Sequence, residues 1–325
     1  MIHSLKSIRL AIALMTIGAL SGTICPLQAG ELGHYLPGVA SVRDFLVPEP
    51  GFYYAQYNVF YTTDTYKDWN GKSVDSIGSL NIDTSVDSIS IVPTFIWSSP
   101  WKILGATYAV FAQIPVSNAS FQAALSTTTH QGVNIDESQW GVGDFYIQPV
   151  WLGWNSKHFA IAAAYGLYAP TGKYDNGAAD NTGLGFWSHV VKVGVTWFPW
   201  ETQGTAVMIN GAYEFNQDKD DVNVTPGDRF LLDWGVSQYL PINKAQTLLC
   251  ELGLAGASQW QVNLDSGSDV TQVLNVKDEV HSIGGQLGLV YAPWDASLSF
   301  RYMKEYDAKA RFEGDLLTLT IAKSF

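Results

Sequence analysis

Apolar and polar residues alternate with a period of two over most of the chain, in segments bounded by turn-forming residues. In 247–260, for example, Leu248, Leu252 and Leu254 share one parity while Glu251 takes the other. Successive side chains of a β-strand point to opposite faces, so this pattern indicates strands with one apolar face. Twelve such segments are predicted, near residues 51–62, 86–97, 102–115, 142–152, 157–169, 186–198, 204–216, 228–240, 247–260, 280–292, 296–305 and 312–325.

The connections between these segments alternate between short and long. The short ones lie at 98–101, 153–156, 199–202, 241–244 and 293–295, and the long ones at 63–85, 116–141, 170–185, 217–227 and 261–279. Bacterial outer-membrane barrels have short periplasmic turns, long outer loops and an even number of strands, and their sheets close because lipid offers no backbone hydrogen bonds. The predicted fold class is therefore all-β: a transmembrane antiparallel β-barrel of about twelve strands, with both termini periplasmic.

The tryptophans and the end of the chain agree with this fold. Four of the five short connections contain a tryptophan, as in the aromatic girdle of a membrane barrel: Trp101, Trp154, Trp200 and Trp294. The last segment alternates up to Phe325, which resembles the signal read by the barrel-assembly machinery, although Lys323 stands where an apolar residue is expected. The alternative fold, a secreted β-sandwich, needs a wet second face, whereas the second face here is only weakly polar.

Composition and the first residues indicate where the protein resides. Charged residues make up 15% of the 325 residues, against the usual quarter, and the net charge of −12 argues against a nucleic-acid partner. Residues 1–29 combine a basic start with a short apolar stretch, which is typical of a secretory signal. We expect a mature chain from about Gly30, in the outer membrane of a Gram-negative bacterium, surrounded by lipid and lipopolysaccharide.

Residues 30–50 differ from the rest and are predicted as an N-terminal plug or periplasmic segment before the barrel, which occupies 51–325. Three prolines in this span disfavour a membrane strand, because proline lacks a ladder donor. Its apolar side chains disfavour an exposed tail, so we expect it to shelter in the lumen, with Arg43 and Asp44 paired to inward charges there. The plug candidates are Tyr35, Leu36, Arg43, Asp44 and Phe45.

Charged and polar residues on the inward parity are the candidate selectivity residues of the lumen. They are Asp144, Gln148, Glu214, Arg229, Asp233, Glu251 and Arg301. One interpretation is a pairing network that holds the wall and the plug, and the other is a constriction that selects solutes. The lumen is also expected to hold Phe52, Tyr54, Phe60 and Tyr146, and aromatic rings beside sparse charges favour an amphipathic or aromatic solute.

Catalytic and metal chemistry has little support in the sequence. No Gly-x-Ser-x-Gly motif occurs, and the histidines show no metal-ligand spacing. We therefore expect no enzymatic activity, no metal and no cofactor. A Ser–His pair brought together only by the fold, as in an outer-membrane phospholipase, is the alternative that the sequence leaves open.

Several short motifs resemble one family of outer-membrane proteins. They are Gly33-His34-Tyr35-Leu36-Pro37-Gly38, Pro50-Gly51-Phe52-Tyr53, Gly141-Val142-Gly143-Asp144, Ala169-Pro170-Thr171-Gly172-Lys173-Tyr174 and Thr225-Pro226-Gly227-Asp228. They resemble the family named "MetA-pathway of phenol degradation", transporter-like barrels often encoded beside aromatic-degradation genes, and by looser analogy the FadL-type importers. The resemblance implies passive uptake of small hydrophobic or aromatic molecules. The alternative function is a structural or surface-binding, adhesin-like barrel with a non-conducting lumen.

Overall fold

The computed structural model describes residues 33–77, 80–126, 131–176, 181–270 and 275–325. The predicted signal peptide, its cleavage site and residues 30–32 lie outside the described residues. The strands are β1 Gly51–Lys67, β2 Ser76–Ile77, β3 Leu80–Ile103, β4 Ala106–Gln113, β5 Val116–Ser126, β6 Gln131–Val142, β7 Phe145–Asn155, β8 Phe159–Ala169, β9 Ser188–Trp197, β10 Thr205–Asn216, β11 Arg229–Pro241, β12 Leu248–Gln261, β13 Glu279–Tyr291, β14 Ala296–Lys309 and β15 Arg311–Ser324.

The sheet closes on itself. Every pairing is antiparallel, and β1 pairs with both β15 and β3, so no free edge is left around the ring. In the described part of the chain the ring runs β1, β3, β4, β7 and then β8 to β15 in order, and the prediction of a twelve-stranded antiparallel barrel is confirmed. Closure satisfies every ladder donor and acceptor within the protein, which a bilayer requires.

One long connection contains more structure than the sequence pattern indicated. The stretch 116–141, predicted as a loop, contains β5 and most of β6, which pair with each other, while β5 also pairs with the first half of β3. These strands continue β4 and β7 past short breaks at 114–115 and 143–144. The barrel wall therefore extends on this side as a sheet of three strands, formed by the first half of β3, β5 and β6.

The two faces of the wall differ in chemistry. On β11, Phe230, Trp234 and Val236 are exposed on the outer face, whereas Arg229 and Asp233 are buried on the inner face. The other ring strands follow the same alternation, and three tryptophans at the short connections are prominently exposed: Trp101, Trp200 and Trp294. An apolar outer band with tryptophans at its rim matches the chemistry of a lipid bilayer and its interface.

The inward face of β1 was assigned wrongly from the sequence. Phe52 and Phe60 are exposed on the outer face, and Tyr54 packs beside the outward Phe95 with ring centroids 5.4 Å apart. The buried inward positions are those of the opposite parity, including Tyr57. Aromatic residues occupy both parities of this strand, so hydrophobicity alone carried no information about which face is inside.

Helical structure is limited to a single 3₁₀ turn at Ala292–Trp294 in the described ranges. None of the described residues forms a helix with the length and hydrophobicity needed to cross a membrane.

Substitution of Leu254 tests the assignment of the outer face. This side chain is exposed near the middle of β12, so Leu254→Arg should lower the free energy of unfolding in lipid by about 2–4 kcal/mol, because the charge is desolvated there. Leu254→Met keeps an apolar side chain of similar volume and should cost less than about 1.5 kcal/mol. Denaturant titration in lipid vesicles measures both values. Equal costs for the two variants would contradict the face assignment.

Candidate functional site: the lumen and the N-terminal segment

Residues 33–50, called here the N-terminal segment, lie inside the barrel. The segment joins β1 at the end of the barrel where the short connections lie. There Ser98 Oγ donates to the Pro48 carbonyl at 2.7 Å, and Asn155 Nδ2 donates to the Val47 carbonyl at 3.1 Å. Val42 and Val47 are almost completely buried. From this end the segment runs along the inner face of β10 to β14 towards the long connections.

Carboxylates on two neighbouring strands accept the backbone donors of the segment. Glu214 on β10 accepts the N–H groups of His34 (2.6 Å) and Tyr35 (3.0 Å). Asp233 on β11 accepts the N–H of Gly38 at 2.9 Å and the Tyr35 hydroxyl at 3.2 Å. A buried backbone without a sheet partner needs acceptors for its N–H groups, and charged acceptors form the stronger hydrogen bonds.

A third carboxylate, on β12, pairs with the cation of the segment. Arg43 Nε lies 3.2 Å from Glu251, while Arg43 Nη1 and Nη2 donate to the carbonyls of Gln203 (3.0 Å) and Gly204 (2.7 Å). The guanidinium also lies 3.8 Å from the centre of the Tyr239 ring. Arginine presents several donors in a fixed plane, so this arrangement fixes the segment at the end with the short connections.

The wall beyond β12 supplies two further polar contacts. Arg301 on β14 donates to the Ala40 carbonyl, and Gln286 on β13 accepts the N–H of Val42 at 3.2 Å. Both wall side chains are buried. Five successive strands, from β10 to β14, therefore each contribute at least one polar side chain that bonds the segment.

The remaining plug candidates face the interior as well. Asp44 accepts the N–H of Ser41 at 2.7 Å and the hydroxyl of Tyr57, on β1, at 3.1 Å. Leu36 and Phe45 pack against the apolar cluster of the lumen. The segment thus contacts the wall through hydrogen bonds, most of them to β10 to β14, and through apolar side chains.

The far end of the segment is held by His34. Its ring nitrogens lie 2.9 Å from Asp144 Oδ2 and 2.6 Å from Ser188 Oγ. Asp144 also accepts the N–H groups of Gly172 (2.9 Å) and Leu184 (2.7 Å), in the connection between β8 and β9. This carboxylate therefore joins the segment to a long connection that folds into the mouth of the barrel.

The contact of Ser188, His34 and Asp144 has the composition of a Ser-His-Asp triad. The side-chain amide of Asn216 donates to two backbone carbonyls, those of Pro226 and Gly227, which fixes its oxygen towards Ser188 at 2.6 Å. The serine proton is therefore donated to Asn216 rather than to His34, and Ser188 is completely buried. A hydroxyl with this partner is not activated for attack, so the geometry positions the segment and does not build a nucleophile.

Arg229 belongs to a second network, which it forms with Asp278 and Arg311. It donates to Asp278 at 2.8 Å, and Arg311 lies 3.4 Å from the other oxygen of that carboxylate. Burial favours the neutral acid, but the two guanidinium groups outweigh it and hold the pKa of Asp278 below its usual value. Glu305 extends the network to Arg311 (3.8 Å) and the Tyr61 hydroxyl (2.9 Å). These ion pairs join β11, β14 and β15 near the long connections.

A cavity of about 280 Å³ remains between the segment and the opposite wall, formed by β1, β3, β4, β7 and β8. Aromatic rings contact one another along it, from Trp151 to Phe111 (6.1 Å between centroids), then to Tyr146 (5.9 Å) and Tyr168 (4.4 Å). Tyr146 also donates to Gln148 at 2.9 Å. The cavity beside the segment is therefore lined in part by a continuous series of aromatic rings.

The structure brings all seven lumen candidates and all five plug candidates into the barrel interior. The candidates omitted Asp278 and Arg311, because Asp278 lies outside the strands, where parity gives no prediction. They also omitted Lys192, although its position between Val191 and Val193 on β9 follows the inward parity.

Among the described residues, no group of three or more His, Cys, Asp or Glu side chains is arranged to hold a metal ion.

Several solved structures are similar to this chain. A COG4313 outer membrane channel from Pseudomonas putida F1 is 15% identical, covers 88% of this chain and 100% of its own, and has a TM-score of 0.65. The β-domain of the Bordetella autotransporter BrkA (8% identity, 85% and 100% coverage, TM-score 0.44) and the DcaP channel of Acinetobacter baumannii (12%, 84% and 96%, TM-score 0.33) are more distant. No curated protein matches the chain.

A family model matches residues 63–321, which is most of the barrel, and its description is "Putative MetA-pathway of phenol degradation". The resemblance drawn from the sequence motifs is therefore confirmed. A closed barrel with an apolar outer band is the architecture of the Gram-negative outer membrane, whose lipid and lipopolysaccharide surround it. The chain is an outer-membrane β-barrel, and it belongs to the MetA-pathway of phenol degradation family.

Proposed function

We propose that the protein is a channel for the passive uptake of small aromatic and other hydrophobic molecules, and that the N-terminal segment is its movable plug. The observation that carries this proposal is the series of aromatic rings along the cavity beside the segment. Ring faces and edges attract planar solutes through offset and edge-to-face contacts. The family description, which names phenol degradation, agrees with an aromatic solute.

The hydrogen bonding of the segment supports the proposal that the segment can move. In the described part of the chain, its backbone-to-backbone hydrogen bonds are two turns within the segment itself, from Asp44 to Ser41 (3.1 Å) and from Leu46 to Arg43 (3.2 Å). Its contacts with the wall run through side chains, so its release breaks no ladder of the barrel. Water can replace each donor that the wall carboxylates lose, which keeps the net cost of each lost hydrogen bond near 1 kcal/mol.

The alternative function is a structural or surface-binding barrel. The observation that favours it is the extent to which the segment occupies the lumen, since a permanently filled barrel does not conduct. The two functions differ in whether the segment leaves, and conductance across a planar bilayer measures this directly.

The proposal includes an orientation. We infer that the long connections face outwards, that both termini are periplasmic, and that the barrel-assembly machinery reads the β15 end, where Phe325 is prominently exposed. Lys323 departs from the usual signal, and its ammonium donates to the Trp294 carbonyl at 2.7 Å and lies 5.4 Å from the Phe325 ring.

Epitope tags test this orientation. A tag inserted in 262–278 should bind antibody on intact cells, and a tag in 242–247 should bind only after the outer membrane is permeabilised. The matched control is the same pair of tags on permeabilised cells, where both should bind. Labelling of only the second tag on intact cells would contradict the proposed orientation.

Deletion of 36–47 tests the plug. The shortened chain should still fold, because the ring strands keep all their ladder partners, and its single-channel conductance should rise severalfold with weaker selectivity. Folding is checked by circular dichroism and by the heat-dependent mobility of the barrel on a gel. A folded, shortened barrel whose conductance equals that of the full chain would rule out the plug and favour the structural alternative.

A charge exchange tests the same idea without a deletion. Arg43→Glu places two buried carboxylates together, and the loss of a buried pair costs about 3 kcal/mol or more, so the open fraction should rise by over a hundredfold. The double variant Arg43→Glu with Glu251→Arg should restore most of the closure. Lys157→Glu, at an exposed ion pair with Glu201, is the control and should leave the conductance unchanged. Unaltered gating in Arg43→Glu would contradict the role of this pair.

A further inference from the structure

One cation in the cavity has no anionic partner in direct contact. Lys192 on β9 points its ammonium at two ring faces, with Nζ 4.8 Å from the centre of Tyr35 and 4.9 Å from that of Tyr146. Among the residues that the structure describes, it makes neither an ion pair nor a side-chain hydrogen bond. Its nearest acids, Glu214 and Asp233, act on it only through space. Cation–π contacts stabilise an ammonium but leave its three N–H donors available.

A second free donor lies beside it. Asn210 on β10 is buried, lines the same cavity, and its Nδ2 has no hydrogen-bond partner. Lys192 pairs in register with Ala212, two positions along β10, so Lys192 and Asn210 are inward diagonal neighbours. Gly194, directly opposite Asn210, leaves room for the Asn210 side chain, because a Cβ there would lie 3.0 Å from Asn210 Oδ1. A buried donor without an acceptor is costly, which makes an incoming acceptor favourable.

Of the two carboxylates that line the cavity, Asp144 accepts hydrogen bonds on both oxygens, from His34 and two backbone N–H groups. Asp44 accepts Ser41 and Tyr57 on Oδ2. Beside Lys192 a cationic solute would meet a like charge. An anionic solute finds an ammonium and an amide donor side by side.

We propose that Lys192 and Asn210 form a binding site for the carboxylate of an aromatic acid, whose ring lies against Tyr146 and Tyr35. This inference rests on the proposed channel function and names its solute class as aromatic monocarboxylates. The carboxylate accepts from Lys192 Nζ with one oxygen and from Asn210 Nδ2 with the other. The neighbouring rings of Tyr168 and Phe111 provide stacking surfaces on either side of Tyr146, so that the ring of the acid follows the aromatic series through the lumen.

Three probes of nearly equal size test the site: benzoate, benzamide and benzylammonium. Binding is measured by calorimetry on the full-length protein in detergent, and uptake is measured separately with radiolabelled probes in proteoliposomes. The full-length protein should bind benzoate at least about tenfold more tightly than benzamide, the difference expected for a hydrogen bond to a charged group. Benzylammonium should bind more weakly than both.

Substitutions assign this preference to the two side chains. Lys192→Met removes the charge at similar length and should abolish the preference for benzoate, whereas Lys192→Arg should retain it. Asn210→Leu should reduce benzoate affinity by a smaller factor. Lys102→Met, which changes a lysine bonded to Thr107 at the end with the short connections, is the matched control and should change nothing. Each variant is checked for barrel folding by heat-dependent gel mobility.

The outcomes separate this inference from the proposed function. Equal affinity for benzoate and benzamide, or an unchanged preference in folded Lys192→Met, would overturn the anion site even if all three probes pass through the channel. Benzoate binding that depends on Lys192, without uptake in either the full chain or the 36–47 deletion, would support the site and overturn the channel function.

Discussion

The arrangement of the lumen depends on the hydrogen bonds that the wall forms with the N-terminal segment. A twelve-stranded ring is wider than the eight-stranded barrels whose inward side chains fill the interior unaided, so its centre has room for the segment. A proline-containing segment has unpaired N–H groups and no strand to pair with. Glu214, Asp233 and Glu251, on three consecutive strands, supply charged acceptors at successive depths. The position of the segment follows from these three side chains.

The shape of the open passage is a consequence of that placement. Because the acceptors lie on β10 to β12, the segment is held against that side, and the space remains on the side of β1, β3, β4, β7 and β8. Rings such as Phe111 and Trp151 line that side. The carboxylates of β10 to β12 therefore hold the segment on one side of the lumen, and aromatic rings line the cavity on the other. The sequence supported two interpretations of the inward charges, a pairing network and a constriction that selects solutes. This division of the lumen explains why both had support.

Much of the fold was predictable, because lipid outside and polar groups inside impose a strict alternation on each strand. The strand count, the short connections and the inward charges on β10 to β14 all follow from that alternation. It failed on β1, where Phe60 and Tyr61 are both aromatic and polarity does not distinguish the faces. It also gave no prediction for Asp278, outside the strands, or for the contact of His34 with Ser188, which are 154 residues apart. Contacts of this kind depend on which strands become neighbours, and a local pattern does not contain that information.

The wall contains ion pairs of its own, and under the proposed function these would let the segment move without opening the ring. Arg229, Asp278 and Arg311 join strands near the long connections, so the ring would keep these ion pairs if the segment left. The carboxylates that hold the segment face a lumen that water can fill. Removing one partner of an ion pair costs several kcal/mol, about 3–5, when the other partner stays buried without water. When water enters and hydrates the remaining partner, the cost is only the net free energy of each hydrogen bond. Ordering the segment also has an entropic cost of about 1–2 kcal/mol per residue, which offsets its contacts with the wall. In the proposed channel, the closed state would therefore be held by a small difference between large opposing contributions, and a solute that binds the aromatic side of the lumen would need to supply only that difference.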